Sequence, residues 1–416
     1  MKIREMSIMD YKITEVKDER FKILQSKMIE YIEQKKLPSL ITLLYQNGAL
    51  INCEKYGMAD VENKIPIEFE NIFRIASMTK PIVSAAALML YEEGHFSMDD
   101  PLSKYIPKAK DLKVFTGENN GNINTEKLNR EVTILDLFTH TGGFSYLSDL
   151  NHPLDKKFFT LMQEVSEKPL AEVINPLFDI PLKYQPGFKF HYSLSTDILD
   201  YVIEIISKTS LDKFLQERIF SKLGMKDTGF YVPDTKRDRL VHLYAINEEG
   251  QLITVPGSQQ RLTKNKTRFF SGGGGLVSTL SDFLKFALML LNNGRFEEIQ
   301  LLKEETVQLM TRDHVLSRGI PFISKDSVKN LKLPEHMEKS LLDYSNGSGF
   351  GLGVQVKLEE SKTPSGIHGW SGAFLTDYWV DPKNNLVCIL LSQFTQLFLY
   401  PILIELRNLV YEGLKS

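Results

Sequence analysis

The sequence predicts an α+β chain in which one antiparallel sheet is built from both chain ends, flanked by helices, with a mostly helical region inserted in the middle. Three observations carry this. Two β-rich stretches flank Asn47-Gly48 near the front, three more lie near the back, and the chain between them is dominated by 3.6-residue apolar spacing. A two-stranded hairpin is marginal alone, so the front pair should join the back three in a sheet of about five core strands.

Taken in order, residues Arg20 to Gln34 carry helical periodicity through Phe21, Leu24, Met28, Tyr31 and Ile32. After Pro38 come Leu40 to Tyr45 and Leu50 to Tyr56, and Asn-Gly between such runs is a strong hairpin signal. An apolar, alanine-rich helix, Ile82 to Glu93, stops at Gly94. Helical spacing returns in Thr133 to Thr139, Asp197 to Lys208, Leu211 to Leu223 and Ser281 to Asn292. The late strands are Phe350 to Leu358, Phe374 to Val380 and Leu386 to Leu391, and an amphipathic helix, Ile402 to Leu414, closes the chain. Phe115 to Glu131, rich in Asn and Gly, and Asp313 to Ser345, rich in charge, read as loops rimming a cleft. The expected division is a discontinuous sheet domain, residues 1–76 and 271–416, and a mostly helical domain, residues 77–270.

Composition narrows the function. Fifty Lys and Arg stand against 53 Asp and Glu in 416 residues, a net charge of −3, which disfavours nucleic acid and anionic membrane as partners. The two cysteines, Cys53 and Cys388, lie in apolar stretches and form neither a disulfide framework nor a C-x-x-C metal spacing. Met1 to Met6 runs into charged residues with no apolar h-region. The longest apolar runs, Ala85 to Tyr91 and Leu397 to Ile404, fall far short of the ~20 residues that span a bilayer. A cytoplasmic protein is expected.

Ser77 and Lys80 stand three apart just before the alanine-rich helix, so the hydroxyl and the amine would share one face. A lysine of lowered pKa can take a serine's proton, and a helix start offers N–H groups and a positive dipole end to a developing oxyanion. S-x-x-K alone also describes a capping Ser and a solvated Lys. Gly272 to Gly275 lacks the Gly-Lys-Ser/Thr of a phosphate loop and reads as a close backbone approach before the helix at Ser281. The eight histidines form no metal set, and His140, although near Asp136 and Ser145, reads as structural. Tyr192-Ser193-Leu194 precedes a helix; a tyrosine at such a turn is usually structural, and it can also work as a phenolate base when a lysine ammonium stands beside it. His368 to Ala373 places small residues at a strand start, which reads either as a tight loop around a partly buried Trp or as a place where a ligand can approach the backbone closely.

Together and in this order, these pieces resemble the serine-reactive hydrolases that include class C β-lactamases, serine D-peptidases and family VIII carboxylesterases. The match runs in register over roughly residues 38 to 395. It includes Ile72 through Pro107 around Ser77 and Lys80, Leu137 to Gly143, Tyr192-Ser193-Leu194, Gly272 to Asp282 and Trp370-Ser371-Gly372. The resemblance implies the β-lactamase/transpeptidase-like fold with its site between sheet and helical region. It implies Ser77 as the acylated nucleophile, Lys80 and Tyr192 sharing acid and base work, and the N–H groups of Ser77 and Ala373 as the oxyanion hole. Leu194, Trp370, Ser371 and Gly372 would contact substrate, and no metal or organic cofactor is implied.

Two departures sharpen the substrate. Leu194 stands where β-lactamases of this type carry an Asn, and Trp370 where they carry a cation. A charge-assisted hydrogen bond is roughly twice as strong as a neutral one, and the loss of both groups should weaken β-lactam binding by several kcal/mol on an order-of-magnitude basis. The branch closest to this chain is therefore the esterases, acting on small neutral carboxylic esters. The alternatives are β-lactamase or D-peptidase activity, an acyltransferase using the same acyl-enzyme, and a non-catalytic binding module.

Overall fold

Leu386–Leu391 is an unbroken apolar run, and a strand of that kind must be covered on both faces. In the computed structural model, which describes residues 13–146, 151–163, 165, 168–262, 269–329 and 331–415, this run lies inside an eight-stranded antiparallel sheet. The charged stretch Met1 to Met6 lies outside the described residues. The sheet strands in chain order are β1 (Ser39–Gln46), β2 (Ala49–Asp60), β3 (Ile65–Pro66), β4 (Ser348–Phe350), β5 (Gln355–Lys357), β6 (His368–Gly372), β7 (Thr376–Asp381) and β8 (Leu386–Leu391). Across the sheet they run β4-β5-β6-β7-β8-β1-β2-β3. The last strand thus pairs with the first, Leu43 opposite Ile389, and both chain ends build one sheet. The sheet has eight strands rather than the expected five. Phe350 to Leu358 splits into two short paired strands, the His368–Gly372 segment is itself a strand paired with β7, and β3 extends the far edge.

The helices that cover the sheet or carry the site are α1 (Lys22–Glu33), α2 (Thr79–Glu92), α3 (Ser195–Ser207), α4 (Leu280–Leu291), α5 (Glu335–Ser345) and α6 (Ile402–Gly413). Period-2 alternation sorts the strand side chains between two cores. Leu40, Leu44, Trp379, Cys388 and Leu390 pack with α1 and α6. Ile41, Leu43, Tyr378, Val387 and Ile389 pack with α2 and α4, where Phe283 meets Tyr378 edge-on at 4.8 Å. Both cysteines are buried and free. Among the described residues no helix is long and apolar enough to cross a membrane.

Both segments read as loops contain regular structure. Phe115 to Glu131 lies mostly within a hairpin of Lys113–Asn119 and Asn122–Lys127, turned by Asn120 and Gly121 at φ 51° and 79°, the same Asn-Gly device as at Asn47. Its strands are largely exposed and so lack the apolar alternation that marks a half-buried one. Asp313 to Ser345 contains two short helical turns and α5, whose charge belongs to the solvent side of a helix that buries Leu341 and Tyr344.

On the α6 side, Ser371 Oγ donates to Asp377 Oδ1 at 2.8 Å and meets Tyr344 Oη at 2.5 Å. Arg407 of α6 stands 3.5 Å from Asp377 Oδ2 and donates to Tyr344 Oη at 3.2 Å. Burial raises the Asp377 carboxyl, and Arg407 opposes that rise. Replacing Arg407 by Met strands the carboxylate, and the expected loss is about 3 kcal/mol of unfolding free energy. Urea denaturation with an unchanged midpoint would refute this account of the network.

Candidate active site

Ser77 sits where an extended segment becomes a helix. Phe73–Arg74 pairs with Val277–Ser278, Ala76–Met78 makes one 3-10 turn, and α2 starts at Thr79, three residues ahead of the expected Ile82. Ala76 holds φ at 44°, a left-handed conformation that costs a residue with a Cβ roughly 1–2 kcal/mol. Neighbours on both sides hold the turn in place. Ile75 N–H donates to Leu276 O at 3.1 Å, and Thr376 Oγ1 donates to Ile75 O at 3.3 Å. A Cβ on Gly372 would collide with Ile75 O, so glycine at the end of β6 is what lets strand and serine turn approach. Ala373 follows as an exposed residue in the turn to β7.

Lys80, in the first turn of α2, is 1% exposed. Its Nζ lies 3.3 Å from Ser77 Oγ, donates to Gly273 O at 2.5 Å, and stands 4.6 Å from the centroid of the Tyr192 ring. Burial lowers its pKa from the ordinary lysine value, while Tyr146 and Asp197 act in the other direction. The expected face-sharing of Ser77 and Lys80 is therefore met, with Tyr192 brought to the same amine.

Tyr192 Oη accepts from Trp370 Nε1 at 3.2 Å. The ring is flanked by His140 at 4.6 Å, Trp370 at 5.6 Å and Tyr146 at 5.7 Å. Burial pushes the phenol upward in pKa, and hydrogen bonds with Ser77 and Trp370 oppose the rise. Burial outweighs the hydrogen bonds and disfavours the phenolate, and Lys80 Nζ lies over the ring face rather than beside the phenol oxygen.

His140 is fully buried and supports Tyr192 from behind. Ser193 N–H donates to its Nδ1 at 3.2 Å, which leaves the proton on Nε2. Trp370 belongs to an aromatic wall, 5.2 Å from Phe350 and 6.3 Å from Phe322. Val315, Ile320 and Phe190 complete that cluster, so part of the segment expected to rim a cleft does pack against the site. Ser371, next along β6, faces the opposite way into the Asp377 and Tyr344 network, which contradicts its expected substrate contact. Alternation along a strand permits only one of Trp370 and Ser371 to face the site. Leu194, buried at the start of α3, lines a small apolar cavity with Phe144, Phe158 and Ile198.

Sequence reasoning missed Tyr146, whose neighbours do not mark it, and Asp197, which the tetraglycine run could have signalled. Gly272 and Gly273 donate their N–H groups to Asp200 and Asp197; the close backbone approach read from those glycines is an approach to two buried carboxylates. Among the described residues, Asp60, Glu62 and His242 bring three ligand atoms within 4.8 Å of one another. They contain none of these site residues, and Asn63, Tyr244 and Thr254 already hydrogen-bond the two carboxylates.

A family model described as Beta-lactamase matches residues 24–406. Protein Rv1367c of Mycobacterium tuberculosis is 29% identical over 379 residues, 89% of each chain. The lovastatin esterase of Penicillium rubens is 30% identical over 334 residues, 78% of this chain and 79% of that protein. Esterase EstB of Burkholderia gladioli is 24% identical, covering 91% of this chain and 92% of that one. Among solved structures, EstCE1, a hydrolase with promiscuous acyltransferase activity, superposes with a TM-score of 0.75 at 21% identity over 94% and 98% of the two chains. Simvastatin synthase LovD of Aspergillus terreus gives 0.76 at 21% identity over 96% and 98%. These two similarities establish the β-lactamase/transpeptidase-like fold.

Burial holds His140 neutral, and it drives His191 down to about 3 and His368 down to about 4. Below the unfolded value of about 6.5 the unfolded chain binds protons that the folded rings refuse, so the contribution of these rings to stability falls as pH falls. From pH 7 to pH 5 the expected loss is roughly 2 kcal/mol for each of the three. Denaturant titrations of the protein and of its His368→Gln variant at the two pH values test this; a change between pH 7 and pH 5 that is equal in both contradicts it.

Proposed function

The chain belongs to the beta-lactamase family of serine hydrolases, and on that premise we propose that it cleaves small, neutral carboxylic esters through an acyl-enzyme on Ser77. The observation that carries the substrate class is Trp370, at the head of the β6 segment that reaches the serine turn. Its indole N–H is engaged by Tyr192 and its ring by Phe350, so this position offers an apolar aromatic surface where a charged substrate would need a cation. An esterase name on two relatives, matched over 79% and 92% of their lengths, supports the same class.

In the proposed reaction the uncharged Lys80 amine takes the Ser77 proton as Oγ bonds to the ester carbonyl carbon. The electron pair displaced onto the carbonyl oxygen is held by the N–H groups of Ser77 and Ala373, on the order of 3 kcal/mol per donor. The proton passes through Tyr192 to the alkoxy oxygen as its bond to carbon breaks, and the alcohol departs. Water then attacks the acyl carbon, gives its proton to the same pair, and Ser77 leaves with a proton restored. Gly372 admits the carbonyl beside the backbone, and Leu194 contributes apolar surface next to Tyr192. We place this site at the seam of a sheet domain, residues 1–76 and 271–416, and a helical domain, residues 77–270.

The test compares p-nitrophenyl butyrate with a chromogenic cephalosporin. Ser77→Ala is expected to abolish ester turnover, by about 10⁴-fold or more. Ester turnover surviving that change would refute the nucleophile, and cephalosporin turnover matching the ester would favour a β-lactamase. Failure of a serine-reactive phosphonate to label the native protein would favour a binding module. Trp370→Phe removes the donor to Tyr192 Oη while keeping an aromatic ring, and should lower kcat about 10-fold.

A further inference from the structure

Lys80 must keep its nitrogen aimed at Ser77 in both protonation states, and something has to hold the carbonyl to which it donates. We infer that Asp197 is a positioning residue for Lys80, acting through the 271–275 loop that it anchors and through its charge. This rests on the proposed acylation of Ser77 with Lys80 as base.

The chain of contacts is short. Lys80 Nζ donates to Gly273 O at 2.5 Å. The N–H of that same Gly273 donates to Asp197 Oδ1 at 3.1 Å, and Ser271 Oγ donates to the same oxygen at 2.6 Å. One turn along α3, Asp200 Oδ2 accepts Gly272 N–H at 2.6 Å. A Cβ on Gly273 would collide with the Asp197 carboxylate, and one on Gly272 would press on Asp200. Only a run of glycines lets the loop lie down on two acids while presenting a carbonyl to the lysine. Gly274 rests against Ala76, and Leu276 N–H donates to Thr79 Oγ1 at 3.2 Å, which ties the loop to both sides of the Ser77 turn.

Both acids are buried, 2% and 0% exposed. Asp200 Oδ1 has no hydrogen-bond partner among the described residues. Burial, then the charge on Asp197, pushes the Asp200 carboxyl well above its usual range. Burial raises the Asp197 carboxyl, against the pull of Lys80, the Ser271 hydroxyl and Gly273 N–H. Two donors on Asp197 Oδ1 against one on Asp200 assign the negative charge of the pair to Asp197. The other titratable groups facing Lys80 are Tyr146 and His140 from the stretch before residue 147, and Tyr192 ahead of α3. None of these is an anion at neutral pH, so Asp197 supplies the countercharge that keeps Lys80 from being deprotonated too easily to return a proton.

The experiment follows kcat/KM for p-nitrophenyl butyrate from pH 5 to pH 9. Asp197→Asn keeps the oxygen acceptor for Ser271 and Gly273 and removes the charge. Lys80 then loses its proton at lower pH, and the acid limb should move down by about one pH unit. Asp200→Asn, which removes no charge, should leave the limb where it is. Asp197→Ala, which also releases the loop, should lower kcat about 10-fold beyond the Asn variant. If Asp197→Asn does not fold, Asp197→Ser keeps one acceptor and is read in the same way. An unmoved limb in the charge-free variant, or an equal shift in Asp200→Asn, overturns the inference. Phosphonate labelling of Lys80→Ala at the native rate would instead overturn the proposed mechanism, so the two failures are distinguishable.

Discussion

A lysine residue held at 1% exposure is penalised whenever it is charged, and much of the arrangement around it follows from that. Its proton needs acceptors that do not themselves bring water. A backbone carbonyl, Gly273 O, an aromatic face, Tyr192, and a serine hydroxyl supply them. The carbonyl in turn must come from a loop lying close to α3, which excludes any Cβ at residues 272 and 273. Gly272 and Gly273 thus follow from the way Lys80 is buried, as do the two aspartates beneath them.

The sheet supplies the other half of the site through alternation. β6 has to turn Trp370 toward Tyr192 and Ser371 toward Tyr344 and Asp377. A shift by one residue would exchange an aromatic wall for a hydroxyl and bury an indole among charges. The Asp377 and Arg407 network thus does more than stabilise the α6 side: by engaging Ser371 it fixes which face of β6 looks at the serine turn. Gly372 then ends the strand where Ile75 O passes, so the register that positions Trp370 also sets the distance between strand and Ser77 turn.

The motif residues were legible because chemistry constrains them by type and spacing. Ser77 and Lys80 share a helix face, and Trp370-Ser371-Gly372 combines bulk with absence of bulk at a strand end. The two-ended sheet was legible from Asn47-Gly48 and the apolar run at Leu386, since both reflect burial and turn geometry that are local. The solvated hairpin at Lys113–Lys127 was not, because its strands carry no alternation, and α5 was hidden by the charge on its outer face. The side to which Ser371 points depends on register, which only the partner strand sets. Tyr146 lay beyond reach for a different reason, since it is defined by what packs against it from sequence-distant elements; Asp197 had only an indirect signal in the glycine run, because an aspartate in the first turn of a helix looks like any residue complementing the dipole.

The substitution of an indole for a cation at position 370 also redistributes the acid and base work. A cation beside Tyr192 Oη would favour the phenolate, whereas a neutral N–H at 3.2 Å gives roughly half that stabilisation. Burial opposes the phenolate, and in the proposed reaction the first proton acceptor is therefore the lysine. A lysine can serve only if its pKa has fallen, yet it must still hold a proton long enough to pass one to the leaving alcohol. Burial moves it in the first direction and the Asp197 carboxylate in the second. In the proposed reaction an apolar wall on the substrate side and a buried acid behind the glycine loop are therefore two parts of one balance: with no cation on the substrate side, the charge behind the loop sets when Lys80 acts as a base.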